Sequence, residues 1–335
     1  MDKPQSDFGP IETIMMQEVA FTAILESVRI GIFDDLGAQP LSAKQLAEKH
    51  GFLEPATESL LDVLTANGLL RKESEGYRNT QLASDYFVST SPFFQGKALE
   101  IRHQFNASIK DGFIGLLRGT AGAREITDSV WSTEDTMQGT EQHARMGGLQ
   151  DTVAFIAGLP GFQTMRMMCD IGGNHGAFSM ALLDRNPDLH GVIADLPEVA
   201  SAANDRIARL GYSSRLEAIG CDLRSNRLPA EQYDLVLASH ILYAFVNDLD
   251  GIIRMIHESL RSGGWFVAHH VNPDGELPKL VVSGLEFTTR MLGYPTHLIG
   301  RTQFEDSLRK AGFNTIQFDT VGKDRGGLIV AARKS

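Results

Sequence analysis

Between residues 165 and 271 four short apolar runs, "MRMMCDI", "GVIAD", "YDLVLAS" and "GWFVAHHV", alternate with stretches of helical periodicity. Strand-length runs separated by helix-length segments predict parallel strands joined by crossover helices, and so an α/β fold. The chain end breaks this pattern. There "NTIQFDTV", the turn "KDRGG" and "LIVAARK" read as a hairpin, which makes the last strand pair antiparallel.

The first of these strands runs into "CDIGGNHGAF", Cys169 to Phe178. A dinucleotide fingerprint would need glycine at 172, 174 and 177, but the residues are Gly172, Asn174 and Ala177, so that reading fails at two of three positions. The glycines present, Gly172, Gly173 and Gly176, make a tight turn and let backbone approach a ligand closely. Asn174 tolerates a left-handed backbone. Three acids follow strand ends at intervals. Asp170 suits an amine, Asp195 in "IADLP" suits two ribose hydroxyls, and Asp222 in "GCDLR" suits an adenine amine. Amine, ribose and adenine together describe S-adenosylmethionine.

Residues 11 to 70 read as a run of helices, with Ser42 as an N-cap, Gly51 as a stop, Pro55 in a first turn and Gly68 at a C-cap. "LRKESEGYRNTQLASDYF" then predicts a hairpin turning at Glu75–Gly76. Helix, helix, hairpin is a winged helix. Its reading helix, from Glu54 to Leu70, carries Glu54, Glu58 and Asp62 and no lysine or arginine, which argues against DNA and for a protein partner. A net charge of -11 points the same way and also disfavours anionic membranes. No window approaches the roughly 20 apolar residues of a membrane span. The start "MDKPQSDFGP" lacks the pattern of a secretory signal, and the two cysteines, Cys169 and Cys221, have no metal-ligand spacing; a reduced, cytoplasmic compartment is the expectation.

The ordered set "DIGGNHG", "ADLP", "CDL", "RSGG" and "GRTQFEDSLRKAGF" resembles the class I S-adenosylmethionine-dependent methyltransferases, in the dimeric O-methyltransferase-like branch with a winged-helix dimerisation domain. The resemblance covers nearly the whole chain. It implies a Rossmann-like, seven-stranded mixed sheet ending in an antiparallel hairpin, preceded by a helical, winged-helix dimerisation domain, with the division expected between residues 105 and 106. It also implies an intertwined homodimer acting on a small molecule, with S-adenosylmethionine as donor and S-adenosylhomocysteine as product. The implied donor site comprises Asp170, Gly172, Gly173, Gly176, Asp195, Leu196, Asp222, Leu223, Ser239 and His240.

The chain departs from this branch where the chemistry is done. O-methylating relatives read roughly "VLHDW.D" after the fourth strand, with the histidine as base. This sequence reads "HILYAFVND", placing Tyr243, Ala244 and Phe245 at the histidine, aspartate and tryptophan positions. The glutamate usual before "RT" is Gly300. The implied consequence is transfer without a His–Glu dyad and without a metal, to carbon, an ionised oxygen or an amine. "ILY" and "GYPTHLIGR" also resemble the bacteriochlorophyllide C-20 methyltransferases, which methylate carbon. Tyr243, His270 and His297 are the catalytic candidates. His103, Met146, Phe245, Arg290 and Met291 are the substrate-binding candidates, with Arg290 or His297 suited to a carboxylate. Met15 and Met16, like Met146 and Met291, read as packed apolar wall. The same departure leaves open a methyltransferase fold that does not transfer (a pericyclase, decarboxylase or hydroxylase) and a non-catalytic winged-helix sensor.

Overall fold

The computed structural model describes residues 3–120, 128, 130–322 and 325–335. The turn "KDRGG" therefore lies partly outside the described residues. The chain forms two compact units, Met1–Glu100 and Ile101–Ser335, dividing inside one helix.

The first unit runs α1 (Gly9–Arg29), α2 (Ile32–Ala38), α3 (Ala43–His50), α4 (Glu54–Ala66), β1 (Leu70–Glu73), β2 (Gly76–Asn79) and α5 (Gln81–Tyr86), then enters α6 (Gly96–Leu117). Ser42 caps α3 with a reciprocal capping box to Gln45. The hairpin turns at Ser74–Glu75, one residue earlier than expected, because Gly76 is already paired with Glu73. Leu41 bridges Tyr77 and completes a winged helix around a core of Ile32, Phe33, Leu36, Leu61 and Leu64.

The second unit continues with α7 (Glu134–Ala144), α8 (Gly148–Ala157), β3 (Met167–Ile171), α9 (Ala177–Arg185), β4 (His190–Asp195), α10 (Pro197–Arg209), β5 (Leu216–Gly220) and β6 (Tyr233–Ser239). It ends with α11 (Leu249–Ser259), β7 (Leu260–Val271), α12 (Lys279–Met291), α13 (Arg301–Ala311), β8 (Thr315–Val321) and β9 (Gly327–Arg333). Among the described residues these strands form one seven-stranded sheet, ordered β5-β4-β3-β6-β7-β9-β8. All pairs from β5 to β7 are parallel, whereas β9 runs antiparallel to both β7 and β8. Each face is buried. Alternate strand residues such as Leu235, Val267 and Ile329 pack on one side, and Val236, Phe266 and Val330 pack on the other. The order reverses between β3 and β6, so the carboxyl ends of these two strands open a crevice at a topological switch point.

Two expectations about apolar side chains fail. Met15 and Met16 are more than half exposed on α1, beside Phe8, Ile11, Ile14 and Val19, and Met146 is also exposed. A helix that repeats apolar residues on two faces packs only one of them within its own chain. Only Met291 of the four methionines is buried.

Candidate active site

At the crevice, the penultimate residue of β3 is Asp170, which is buried and accepts a hydrogen bond from Ser179 Oγ at 2.7 Å. Gly172 follows at φ 63°, where an added Cβ would lie 2.6 Å from Ile241 Cγ1. A Cβ on Gly173 would lie 2.6 Å from the Asp170 carboxyl carbon. These two glycines are therefore required by packing as well as by backbone shape. Asn174 takes the left-handed conformation at φ 42°. Its N–H donates to Asp195 Oδ2 at 3.0 Å, while its side chain donates to the Trp131 carbonyl and accepts from Thr140. Leu196 N–H donates to the other Asp195 oxygen at 2.8 Å. Asn174 thus joins the turn to the Asp195 carboxylate.

Burial pushes the Asp170 carboxyl up to about 7 and the Asp195 carboxyl up to about 6. Neither forms an ion pair among the described residues. Two desolvated carboxylates without a cation suit an ammonium-bearing, ribose-bearing ligand. Asp222 is less free than expected, because Arg224 binds both of its oxygens and bridges to Asp128. An adenine amine would share this carboxylate with a guanidinium. Leu223 is half-buried on the side of the sheet carrying Val236.

Beyond β6 the backbone turns through His240 at φ 52°, whose N–H donates to the His269 carbonyl. Around it an aromatic cluster assembles. The Tyr243 ring stacks on His297 at 4.5 Å and meets Tyr294 edge-on at 5.0 Å. His240 lies 4.6 Å from His269, 5.9 Å from His270 and 6.1 Å from His297, centroid to centroid. Ser239 Oγ lies 3.3 Å from His269 Nδ1, and Thr289 Oγ1 lies 3.2 Å from His297 Nδ1. Glu286 fixes the loop by accepting from His297 N–H and Thr296 Oγ1.

All of these imidazoles are neutral at pH 7. Burial lowers His269 and His297 to about 4 and holds His240, His270 and His143 below their ordinary value as well. Burial likewise pushes the Tyr243 phenol upward, so it is a hydrogen-bond donor rather than a base.

Several expectations change at this point. His270 is fully buried on the Phe304 side of β7, and neither ring nitrogen has a partner among the described residues, so it does not open to an acceptor. Its neighbour His269 points to the other face. Arg290 is exposed and tied to Glu286 one helical turn away, so it does not reach inward. His103 is exposed on α6, and Phe245 is half-buried against the core on the α11 side. The side chains of this cluster that reading by motif missed are His143 on α7, Tyr294 and Glu286. They come from segments with no common spacing.

A model of the O-methyltransferase domain matches residues 125–292, and a model of the O-methyltransferase dimerisation domain matches residues 12–89. The chain belongs to the O-methyltransferase family. Among similar proteins, the 3-hydroxy-5-methyl-1-naphthoate 3-O-methyltransferase of Streptomyces sahachiroi is 27% identical over 324 residues, 93% of this chain and 91% of its own length. The bacteriochlorophyllide d C-20 methyltransferase of Chlorobaculum tepidum is 24% identical over 96% of both chains. The structure of human N-acetylserotonin methyltransferase in complex with SAM matches with a TM-score of 0.78 at 20% identity, over 100% of both chains. As a member of this family the protein is an S-adenosylmethionine-dependent methyltransferase. Among the described residues no helix is long and apolar enough to cross a membrane, and no cluster of three or more histidine, cysteine or acidic side chains is arranged to hold a metal.

Asp170 and Asp195, as the carboxylates expected to hold the donor, predict a pH dependence. Asp170 and Asp195 have folded pKa values above the roughly 3.9 of an unfolded aspartate. The folded apoprotein therefore holds more protons than the unfolded chain between about pH 4 and 7, and these groups' contribution to stability is lost as pH rises through that window. A cationic donor reverses the penalty by pairing with the carboxylates. Calorimetry of S-adenosylmethionine binding should show affinity rising from pH 5 to 8, with protons released at pH 6. Affinity that is flat or falls across this range would contradict the assignment of Asp170 and Asp195.

Proposed function

We propose that the enzyme methylates a carbon nucleophile, or a heteroatom already ionised at neutral pH, without a His–Glu dyad. The observation that carries this reading is the weak basicity of the buried imidazoles around Tyr243, beside a tyrosine and an alanine where the branch has its histidine and aspartate. A phenol of pKa about 10 passing its proton to an imidazole at about 4 faces an uphill step of about 8 kcal/mol, too large for efficient base catalysis. The bound donor supplies an electrophilic methyl group, so alignment alone lowers the barrier by several kcal/mol. An ionised acceptor needs no base. A carbon acceptor loses its proton only after the new bond forms, when that proton is strongly acidic, and the neutral His297 suffices to take it. Thr289 orients the His297 ring and Glu286 holds its backbone. Tyr243 flanks the reacting face and donates a hydrogen bond to the acceptor.

In this reading Asp170 holds the donor's amine, Asp195 its ribose, and the turn from Gly172 to Gly176 supplies close-packed backbone, with Ser239 and His240 closing the site. Tracing the methyl group of a labelled donor into product tests the reading, because a methyl found on a neutral phenol or alcohol oxygen would refute it.

The same reading makes the enzyme a homodimer of small-molecule, secondary metabolism. The matched dimerisation domain and the uncovered apolar face of α1 support this. Burying a residue such as Ile14 or Met15 is worth about 1.5–3 kcal/mol. Ile14→Glu should accordingly shift the protein from dimer to monomer in sedimentation velocity; an unchanged dimer would place the interface elsewhere.

A further inference from the structure

Three glycines, Gly172, Gly173 and Gly176, fall within the short turn after β3, and glycine backbone carries no side chain to hold its shape. The turn's main-chain bonds are local. Gly172 N–H donates to the Ala194 carbonyl and Gly176 N–H to the Gly173 carbonyl. Asn174 sends its side chain out of the turn. Its Nδ2 donates to the Trp131 carbonyl at 2.8 Å, and its Oδ1 accepts from Thr140 Oγ1 of α7 at 3.3 Å.

The far end of this strut is fixed independently of the turn. Trp131 packs against the same core face as Ile156 and Phe178. α7 is tied to α10, because the buried Arg206 pairs with Glu134 at 2.8 Å and also with Glu141. At the near end the Asn174 N–H donates to Asp195 Oδ2 at 3.0 Å. One residue therefore makes both links, its side chain outward to Trp131 and Thr140 and its main chain inward to the carboxylate. It does so at φ 42°, a backbone conformation that costs a residue with a Cβ energy and persists where surrounding bonds hold it.

We propose that Asn174 is a positioning residue for the methyl donor: its side chain braces the glycine turn against Trp131 and Thr140, so that its N–H keeps the Asp195 carboxylate aimed at the donor's ribose. The proposal rests on the reading of Asp195 as the ribose carboxylate and names what orients it. Asn174 acts through Asp195 and needs no contact with the donor. Bracing the turn beforehand leaves less freedom to be lost on binding, and affinity rises accordingly. A glycine at 174 takes the same φ without strain yet deletes the strut, so backbone shape and side-chain anchor are separable.

The test is a double-mutant cycle on S-adenosylhomocysteine affinity, read by isothermal titration with the full-length protein. Asn174→Gly should weaken binding about 10-fold, from one lost neutral hydrogen bond together with a freer turn. Asn174→Ala, which also loses the strut and must hold a left-handed backbone, should bind no more tightly than Asn174→Gly. In Asp195→Ala no carboxylate remains to be oriented, so adding Asn174→Gly there should cost less than about twofold. A purely structural asparagine would lower the melting temperature without this coupling. Asn174→Gly binding within about twofold of the wild type, or penalties that multiply in the double variant, would overturn the proposal. Wild-type affinity in Asp195→Ala itself would instead overturn the donor reading beneath it.

Discussion

Replacing Asp195 with alanine is expected to lower the affinity for S-adenosylhomocysteine by about 100-fold or more. Each carboxylate oxygen accepts one backbone N–H, from Asn174 at 3.0 Å and from Leu196 at 2.8 Å. Hydrogen bonds to a charged group contribute about 1.5–3 kcal/mol each, so losing both removes about 3–6 kcal/mol from the turn and its ligand. The left-handed Asn174 then loses the acceptor that stabilises its conformation, and the glycine turn loosens with it. Asp195→Asn keeps a single acceptor and should fall between the two. Isothermal titration reads this directly. An alanine variant that binds within about fivefold of the wild type would show that Asp195 is not part of the donor site.

The second large effect is expected at His297. Its ring stacks on Tyr243, its Nδ1 is engaged by Thr289, and its N–H is anchored by Glu286. His297→Ala removes both the proton acceptor for a carbon nucleophile and the platform that orients Tyr243. The turnover number should drop about 100-fold, within the range for a positioned proton-transfer group, while donor affinity stays unchanged. Tyr243→Phe keeps the stack and should cost less. Single-turnover transfer of labelled methyl separates binding from chemistry here. A His297→Ala enzyme within about fivefold of wild-type turnover would reduce His297 to pocket wall.

The contrast between these two sites explains what could be read from the chain. The residues proposed for the donor site are local to strand ends. Asp170, Gly172, Gly173 and Asn174 are consecutive or nearly so, and the left-handed tolerance of asparagine is a property of the residue itself, borne out at φ 42°. The strands around them announced themselves by apolar runs, and the winged helix by its capping residues. The residues of the aromatic cluster proposed to face the acceptor carry no such signal. His143, His240, His269, Tyr294 and His297 meet only because α7, the end of β6, the end of β7 and the loop after α12 converge. One error was avoidable. Glu286 and Arg290 stand four apart on a helix, the spacing of a surface ion pair, and that spacing spoke against Arg290 as an inward anchor.

The most direct test of the central claim is the fate of the methyl group. The enzyme would be incubated with S-adenosylmethionine labelled with carbon-13 at the methyl and with small-molecule extract of the cell that makes it, and the product read by carbon NMR. A labelled methyl bonded to carbon, or to a heteroatom acidic enough to be ionised at neutral pH, is the result expected of a neutral His–Tyr cluster. A labelled methyl on the oxygen of an ordinary phenol or alcohol would mean that a stronger base than these imidazoles operates, and would contradict the account.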